Sequence, residues 1–149
     1  VPYKKEGIMK GTYVALNVAE PSKEIIRQYC RDNGIGDPHA LSDLHCTVIY
    51  SAKTCEGVLV NPAKIYHATF NGFSIFTSRN KGDVLVMELF SPAISWRHHE
   101  LTEVHGATYD FDVYHPHVTL DYNYSGELAK LPRLNQTIWL TNEFTRPLF

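Results

Sequence analysis

Apolar and polar residues alternate with period two over Thr12–Val18, with Val14, Leu16 and Val18 on one side and Tyr13, Ala15 and Asn17 on the other. That pattern predicts a half-buried strand. Pro21 and Ser22 follow as helix-start signals, the proline suited to the first helical position and the serine to a cap. Ile25, Ile26, Tyr29 and Cys30 then recur at helical spacing, and Asn33-Gly34 closes the helix. A loop rich in Gly, Asp and Pro (34–43) leads into a second alternating stretch, Leu44-His45-Cys46-Thr47-Val48-Ile49-Tyr50. Residues 63–78 alternate around Asn71-Gly72, which reads as a hairpin turn between two strands. Arg79 to Asp83 reads as another turn, and 83–90 as a strand with Leu85, Met87 and Leu89 on one face. Ser91-Pro92 repeats the cap-then-proline signal, and Ile94, His98, Leu101 and His105 line one side of the helix it predicts. After a loop comes Pro116-His117-Val118-Thr119-Leu120-Asp121-Tyr122, again alternating, and 137–144 reads as a last strand.

The order strand, proline-started helix, loop, His-x-Thr strand therefore occurs twice. Pro21 precedes His45 by 24 residues and Pro92 precedes His117 by 25, while Asn33 and His105 each precede their histidine by 12. The spacing points to an internal duplication. The expected architecture is α+β: one domain over 1–149 built of two pseudo-symmetric β-α-β lobes, roughly 12–51 plus the tail and 83–122. Their antiparallel sheets face a central cleft, with helices on the outside. On a strand, residues i and i+2 share a face, so His45 sits with Thr47 and His117 with Thr119. Leu44, Cys46, Val48, Val118, Leu120 and Tyr122 fall on the core side.

Composition narrows the function. The 149 residues are 44% hydrophobic and 20% charged with a formal net charge of −2, which suits a globular domain and disfavours a protein that grips long nucleic acid. Three cysteines (Cys30, Cys46, Cys55) without Cys-x-x-Cys spacing read as reduced thiols of a cytoplasmic protein. Neither a membrane span nor a signal peptide is expected. Eight histidines raise the question of a metal, but none forms a His-x-x-x-His pair beside a carboxylate, and Pro116 makes His115 a strand-entry residue. No metal or cofactor is expected.

Two imidazoles across a cleft are suited to serve as one base and one acid on opposite sides of a phosphorus centre, because their unperturbed pKa lies near 6.5. The two threonine hydroxyls are short donors for non-bridging phosphate oxygens. Paired His-x-Thr motifs on a duplicated α+β scaffold resemble the 2H phosphoesterase superfamily. Gly11-Thr12-Tyr13-Val14, His45 to Ser51, Gly106 to Phe111 and Pro116 to Leu120 resemble its compact bacteriophage anti-CBASS branch, which degrades the cyclic oligonucleotide messengers of bacterial antiphage defence. The resemblance implies a metal-independent phosphodiesterase with His45 and His117 as acid and base and Thr47 and Thr119 as phosphate ligands. It also implies a cyclic di- or trinucleotide as partner, cGAMP among them. Three residues are candidates for contacting the bases: Tyr13, on the strand face opposite the core set; Glu143, a carboxylate for an exocyclic amine; and Phe149. Phe149, like Phe76, Trp96 and Trp139, is of a type more often found in a core or at a rim. Two readings stay open beside this one. One is a 2H enzyme acting on 2′,5′-oligoadenylates or RNA ends, and the other is a non-catalytic sponge for cyclic nucleotides.

Overall fold

The structure, a computed structural model, describes residues 10–78 and 82–148. Six strands form one mixed-origin antiparallel sheet in the order β2-β1-β6-β3-β4-β5: β1 (Thr12–Val18), β2 (His45–Ser51), β3 (Tyr66–Ser78), β4 (Gly82–Phe90), β5 (His117–Asp121) and β6 (Ile138–Thr145). The two halves meet where β3 pairs with β6. The outer strands β2 and β5 also lie against each other, so the sheet is strongly curved and both His-x-Thr strands meet at one place. Three helices complete the α+β fold: α1 (Glu20–Asp32), α2 (Pro38–Ser42) and α3 (Pro92–Glu103).

The apolar set lies between sheet and helices. Val14, Leu16 and Val18, Cys46 and Val48, Leu85, Met87 and Leu89, and Val118 and Leu120 pack with Ile26 and Cys30 of α1 and Ile94 and Leu101 of α3. These are the positions that the alternation assigns to the core, as burial of apolar surface requires.

Departures from the expected elements have local causes. Ser22 is not a cap. Helix α1 starts at Glu20, and the fully buried Ser22 hydroxyl accepts from the Trp139 N–H at 2.8 Å, tying α1 to β6. Ser91 does cap α3, accepting from the Ile94 N–H. Asn71-Gly72 is not a hairpin turn. Residues on both sides of it pair with β4, Phe70 facing Leu89 and Phe73 facing Met87, so the extra residue is a β-bulge in one long strand, with Gly72 at φ 104°. The hairpin lies one turn later, where Ser78 pairs with Gly82, and residues 79–81 fall outside the described ones. Part of the expected 34–43 loop is helix α2, whose cap Asp37 accepts from the His39 and Ala40 N–H groups and, through its other oxygen, from the Tyr122 N–H. No helix among the described residues is long and apolar enough to cross a membrane.

Gly11 shows why the start of β1 admits no side chain. A Cβ there would lie 2.3 Å from the Ser51 carbonyl oxygen and 3.1 Å from a Leu148 methyl. The obstacle is backbone of a paired strand and cannot rotate away. Gly11→Ala is expected to destabilise the protein by about 1–3 kcal/mol, as overpacking does, measured as a lower urea midpoint at unchanged m-value.

Candidate active site

Each motif strand carries its histidine and threonine on the same face, and each is bulged just after the threonine. In β2, Val14 faces Ile49 and Ala15 faces Thr47, which leaves Val48 as the extra residue. In β5, Leu85 faces Asp121 and Val86 faces Thr119, which leaves Leu120 as the extra one. A bulge bends its strand and re-aims the side chains beside it. The two halves thus repeat not only a motif but a backbone deformation.

The imidazoles are anchored alike. His45 Nδ1 lies 2.7 Å from the Asp43 carbonyl oxygen, and His117 Nδ1 lies 2.8 Å from the His115 carbonyl oxygen, in each case the residue two positions earlier. A carbonyl oxygen only accepts, so Nδ1 carries the proton and donates in both rings. Nε2 is then the nitrogen left for proton transfer, which is how a backbone acceptor fixes a histidine's tautomer. The threonines are held by tyrosines: the Tyr13 hydroxyl lies 3.1 Å from Thr47 Oγ1, and the Tyr122 phenol is hydrogen-bonded to Thr119.

The surroundings of the two rings differ. Glu88 on β4 pairs with His117 across the sheet, its carboxylate accepting from Ser74 Oγ and lying 3.4 Å from His115 Nδ1. The Phe76 ring stands edge-on to His117 with centroids 5.1 Å apart. Burial pushes the His117 pKa below 6.5, against the His115 carbonyl and Glu88, which raise it, while the positive field of His45 lowers it further. Near neutral pH the ring is therefore unprotonated, with a lone pair on Nε2. A cleft of about 720 Å³ opens beside it, walled by Phe76, Tyr109, Phe111, Val113, His115 and His117. Its size and aromatic walls suit a small organic ligand. Around His45 the setting is polar: Asp43 Oδ2 lies 3.7 Å from Nδ1, and Arg146 reaches Asp43 Oδ1 at 3.5 Å.

Behind the motif strands stands a buried aromatic pair. The His98 and Tyr114 rings stack at 4.1 Å and 3°, and Tyr109 meets His98 edge-on. His98 Nδ1 donates to the Val48 carbonyl at 2.7 Å, satisfying a backbone group at the bulge. The Tyr114 hydroxyl donates to the Thr47 carbonyl at 2.7 Å and lies 3.8 Å from Cys46 Sγ. Burial raises the Tyr114 phenol well above 10 and pushes the Cys46 thiol up to about 11, so both stay neutral.

The other sequence candidates fall differently. Tyr13 is at the site: it is 6% exposed, in T-shaped contact with Tyr50 and Phe144, and its hydroxyl reaches Thr47. Glu143 is 2% exposed and fully engaged. Arg97 donates to both its oxygens at 2.9 and 3.1 Å, and the Asn61 N–H donates at 2.9 Å, so the carboxylate ties the 53–63 loop to α3. Phe149 lies outside the described residues. Phe76, assigned by type to core or rim, instead lines the cleft. Its signal was parity, since it shares a strand face with Ser74, the partner of Glu88. Among the described residues, no three His, Cys, Asp or Glu side chains gather as metal ligands.

The chain superposes on the crystal structure of E. coli LigT complexed with 3′-AMP with a TM-score of 0.58 at 14% identity, covering 95% of this chain and 97% of that one. The two chains share one fold. A family model described as Anti-CBASS protein Acb1 matches residues 10–149, and the chain belongs to that family. Relatives described by the same words come from Vibrio phage KVP40 (27% identical over 139 residues, 93% of this chain and 88% of the relative) and Enterobacteria phage T4 (28% over 138 residues, 93% and 88%). A third, from Salmonella phage S16, is 28% identical over 150 residues, covering 97% and 93%.

Two outcomes follow from these contacts. Glu143→Ala leaves the half-buried Arg97 with only Glu100 and the Leu59 carbonyl and is expected to cost about 1–3 kcal/mol, seen as a fall in Tm. His98 has its pKa lowered, chiefly by burial, so the unfolded chain takes up a proton that the native ring resists. Stability is then full above about 6.5 and declines as pH falls from there toward the lowered native value. Urea midpoints at pH 7.5, 6.5 and 5.5 should show this decline, and His98→Phe should make it shallower, whatever its own baseline.

Proposed function

We propose that this protein is a metal-independent phosphodiesterase that opens 3′–5′ bonds of cyclic di- or trinucleotide messengers, cyclic GMP–AMP among them, and so counters CBASS defence. The observation that carries this reading is the identical anchoring of two imidazoles, each with Nδ1–H spent on a carbonyl and Nε2 left to move a proton. Membership of the Acb1 family supports the anti-CBASS context. The aromatic-walled cleft beside His117 supports a nucleobase-bearing ligand, since rings such as Phe76 and Phe111 give stacking faces.

The reaction needs a nucleophile. The two motifs supply no Ser, Cys or Asp at a shared position beside the imidazoles. The ribose 2′-hydroxyl beside the scissile 3′-phosphate is already in place, and its attack is intramolecular. In this scheme His117, kept neutral by burial, takes the 2′-hydroxyl proton as the 2′-oxygen bonds to phosphorus. The P–O5′ bond breaks, and His45 in its protonated form delivers a proton to the leaving 5′-oxygen. The first product is a linear oligonucleotide ending in a 2′,3′-cyclic phosphate. Thr47 and Thr119 donate to the non-bridging oxygens, where charge grows in the transition state.

Replacing His45 or His117 by Ala is expected to lower turnover about 10²–10⁴-fold, with the double variant far from multiplicatively worse. Thr47→Val and Thr119→Val should lower kcat more than they raise KM. Activity should survive dialysis against EDTA. The decisive experiment uses a cyclic dinucleotide lacking the one 2′-hydroxyl beside the scissile phosphate. It should bind and resist cleavage, and cleavage at a comparable rate would make water the nucleophile. A panel including linear 2′,5′- and 3′,5′-linked oligonucleotides decides between the cyclic-messenger enzyme and other 2H activities, and binding without any cleavage would leave the sponge.

A further inference from the structure

The two halves of the site are matched in backbone but not in charge. A cyclic dinucleotide, the substrate class proposed above, carries two phosphates, and the paired His-x-Thr strands account for one. A cation at the rim of the site with unspent donors would hold the second.

The basic side chains on the helices do not offer one. Arg97 is committed to Glu143 and Glu100, Lys23 to Glu20 and Arg27 to Glu24, and Arg31 donates to Gln28 one turn away on α1. Arg146 is placed otherwise. It follows the end of β6, half exposed at 50%, with its guanidinium carbon 5.0 Å from the Phe144 ring centroid and 5.9 Å from that of Tyr13. The two rings hold the guanidinium by cation–π contact. Asp43, its carboxylate partner among the described residues, sits at 3.5 Å, longer than the 2.7–2.9 Å of a strong charge-assisted bond. The contact comes from one terminal nitrogen, so the two-pronged fork that matches a phosphate remains available.

Position fits the second phosphate rather than the first. Asp43 lies 3.7 Å from His45 Nδ1, and Arg146 meets Asp43 rather than the imidazole or either motif threonine. Arg146 is nonetheless close to both halves. Burial raises the phenols of Tyr13 and Tyr122, the partners of Thr47 and Thr119, and the charge of Arg146 opposes the rise in each.

We infer that Arg146, held over Phe144 and Tyr13 beside Asp43, anchors the non-scissile phosphate of a cyclic dinucleotide and thereby sets the preference for substrates with two phosphodiesters. The inference rests on the phosphodiesterase reading, and the test separates the two. Wild type, Arg146→Gln and Arg146→Lys are assayed on a cyclic dinucleotide and on a dinucleoside monophosphate, which has a single phosphodiester. Arg146→Gln should raise KM for the cyclic substrate by about tenfold or more, the usual worth of a hydrogen bond to a charged group, with kcat within about twofold. Arg146→Lys should lie between the two. The rise of KM with salt should be flatter in Arg146→Gln, and kinetics on the dinucleoside monophosphate should not change. Equal losses on both substrates, or a fall in kcat shared by Asp43→Asn, would overturn the inference by making Arg146 a positioning residue for His45. If wild type cleaves neither substrate, the phosphodiesterase reading fails. Equilibrium binding of the uncleavable 2′-deoxy cyclic dinucleotide then decides on Arg146 alone: weaker binding by Arg146→Gln supports the anchor, and equal binding, or none by wild type, overturns it.

Discussion

The site exists because the two outer strands of a six-stranded sheet are pressed against each other. A sheet in the order β2-β1-β6-β3-β4-β5 would, if flat, put His45 and His117 at opposite ends. Extra residues at Val48, Leu120 and Asn71-Gly72, together with a bulge in β6 where Asn142 takes φ 53°, bend the strands. The Tyr114 hydroxyl then fastens the seam by donating to the Thr47 carbonyl, and the backbone of His117 hydrogen-bonds Cys46. His98, stacked against Tyr114, donates to the carbonyl at the β2 bulge. Packing, strand irregularity and site geometry are one constraint in this molecule.

Much of this was legible in the sequence, for a physical reason. Period-two alternation reports which side chains face the core, and a repeated His-x-Thr in matching context reports shared chemistry. The pattern at 12–18 and 83–90 becomes strand with the expected faces buried, and Ser91-Pro92 opens a helix as expected. What was not legible depends on partners distant in the chain. Ser22 carries the same local signal as Ser91, but the backbone of β6 takes its hydroxyl. Asn71-Gly72 suits a turn or a bulge equally well, and the pairing of both flanks with β4 decides for the bulge. Nothing near Glu143 in the chain signals that Arg97, 46 residues away, pairs with it. The alternation through Tyr50 fails for the same kind of reason. The bulge at Val48 resets parity, so Ile49 is buried and Tyr50 turns out beside Tyr13.

A duplicated backbone need not give two equal half-sites. His117 stands among Phe76, Val113 and Phe111, where removal of water weakens the charged form of the ring. His45 stands among Asp43, Arg146 and solvent. The same strand-and-bulge unit thus places one imidazole in an apolar setting and its counterpart in an ionic one, with the difference supplied by neighbours outside the repeated segments.

The common anchoring of the two rings has a consequence for the cycle as a whole. With both Nδ1–H groups tied to carbonyls, a proton taken up at one Nε2 has no internal route through its own ring to the other side. After the proposed attack by the 2′-oxygen, the imidazole that began neutral is cationic and the one that began cationic is neutral. In that scheme the protein then holds the mirror image of its starting state. That state is the one required to activate water against a 2′,3′-cyclic phosphate, by microscopic reversibility. Hydrolysis of the cyclic intermediate would reset both histidines within the cleft, whereas release of that intermediate obliges the protein to exchange protons with solvent before it can turn over again.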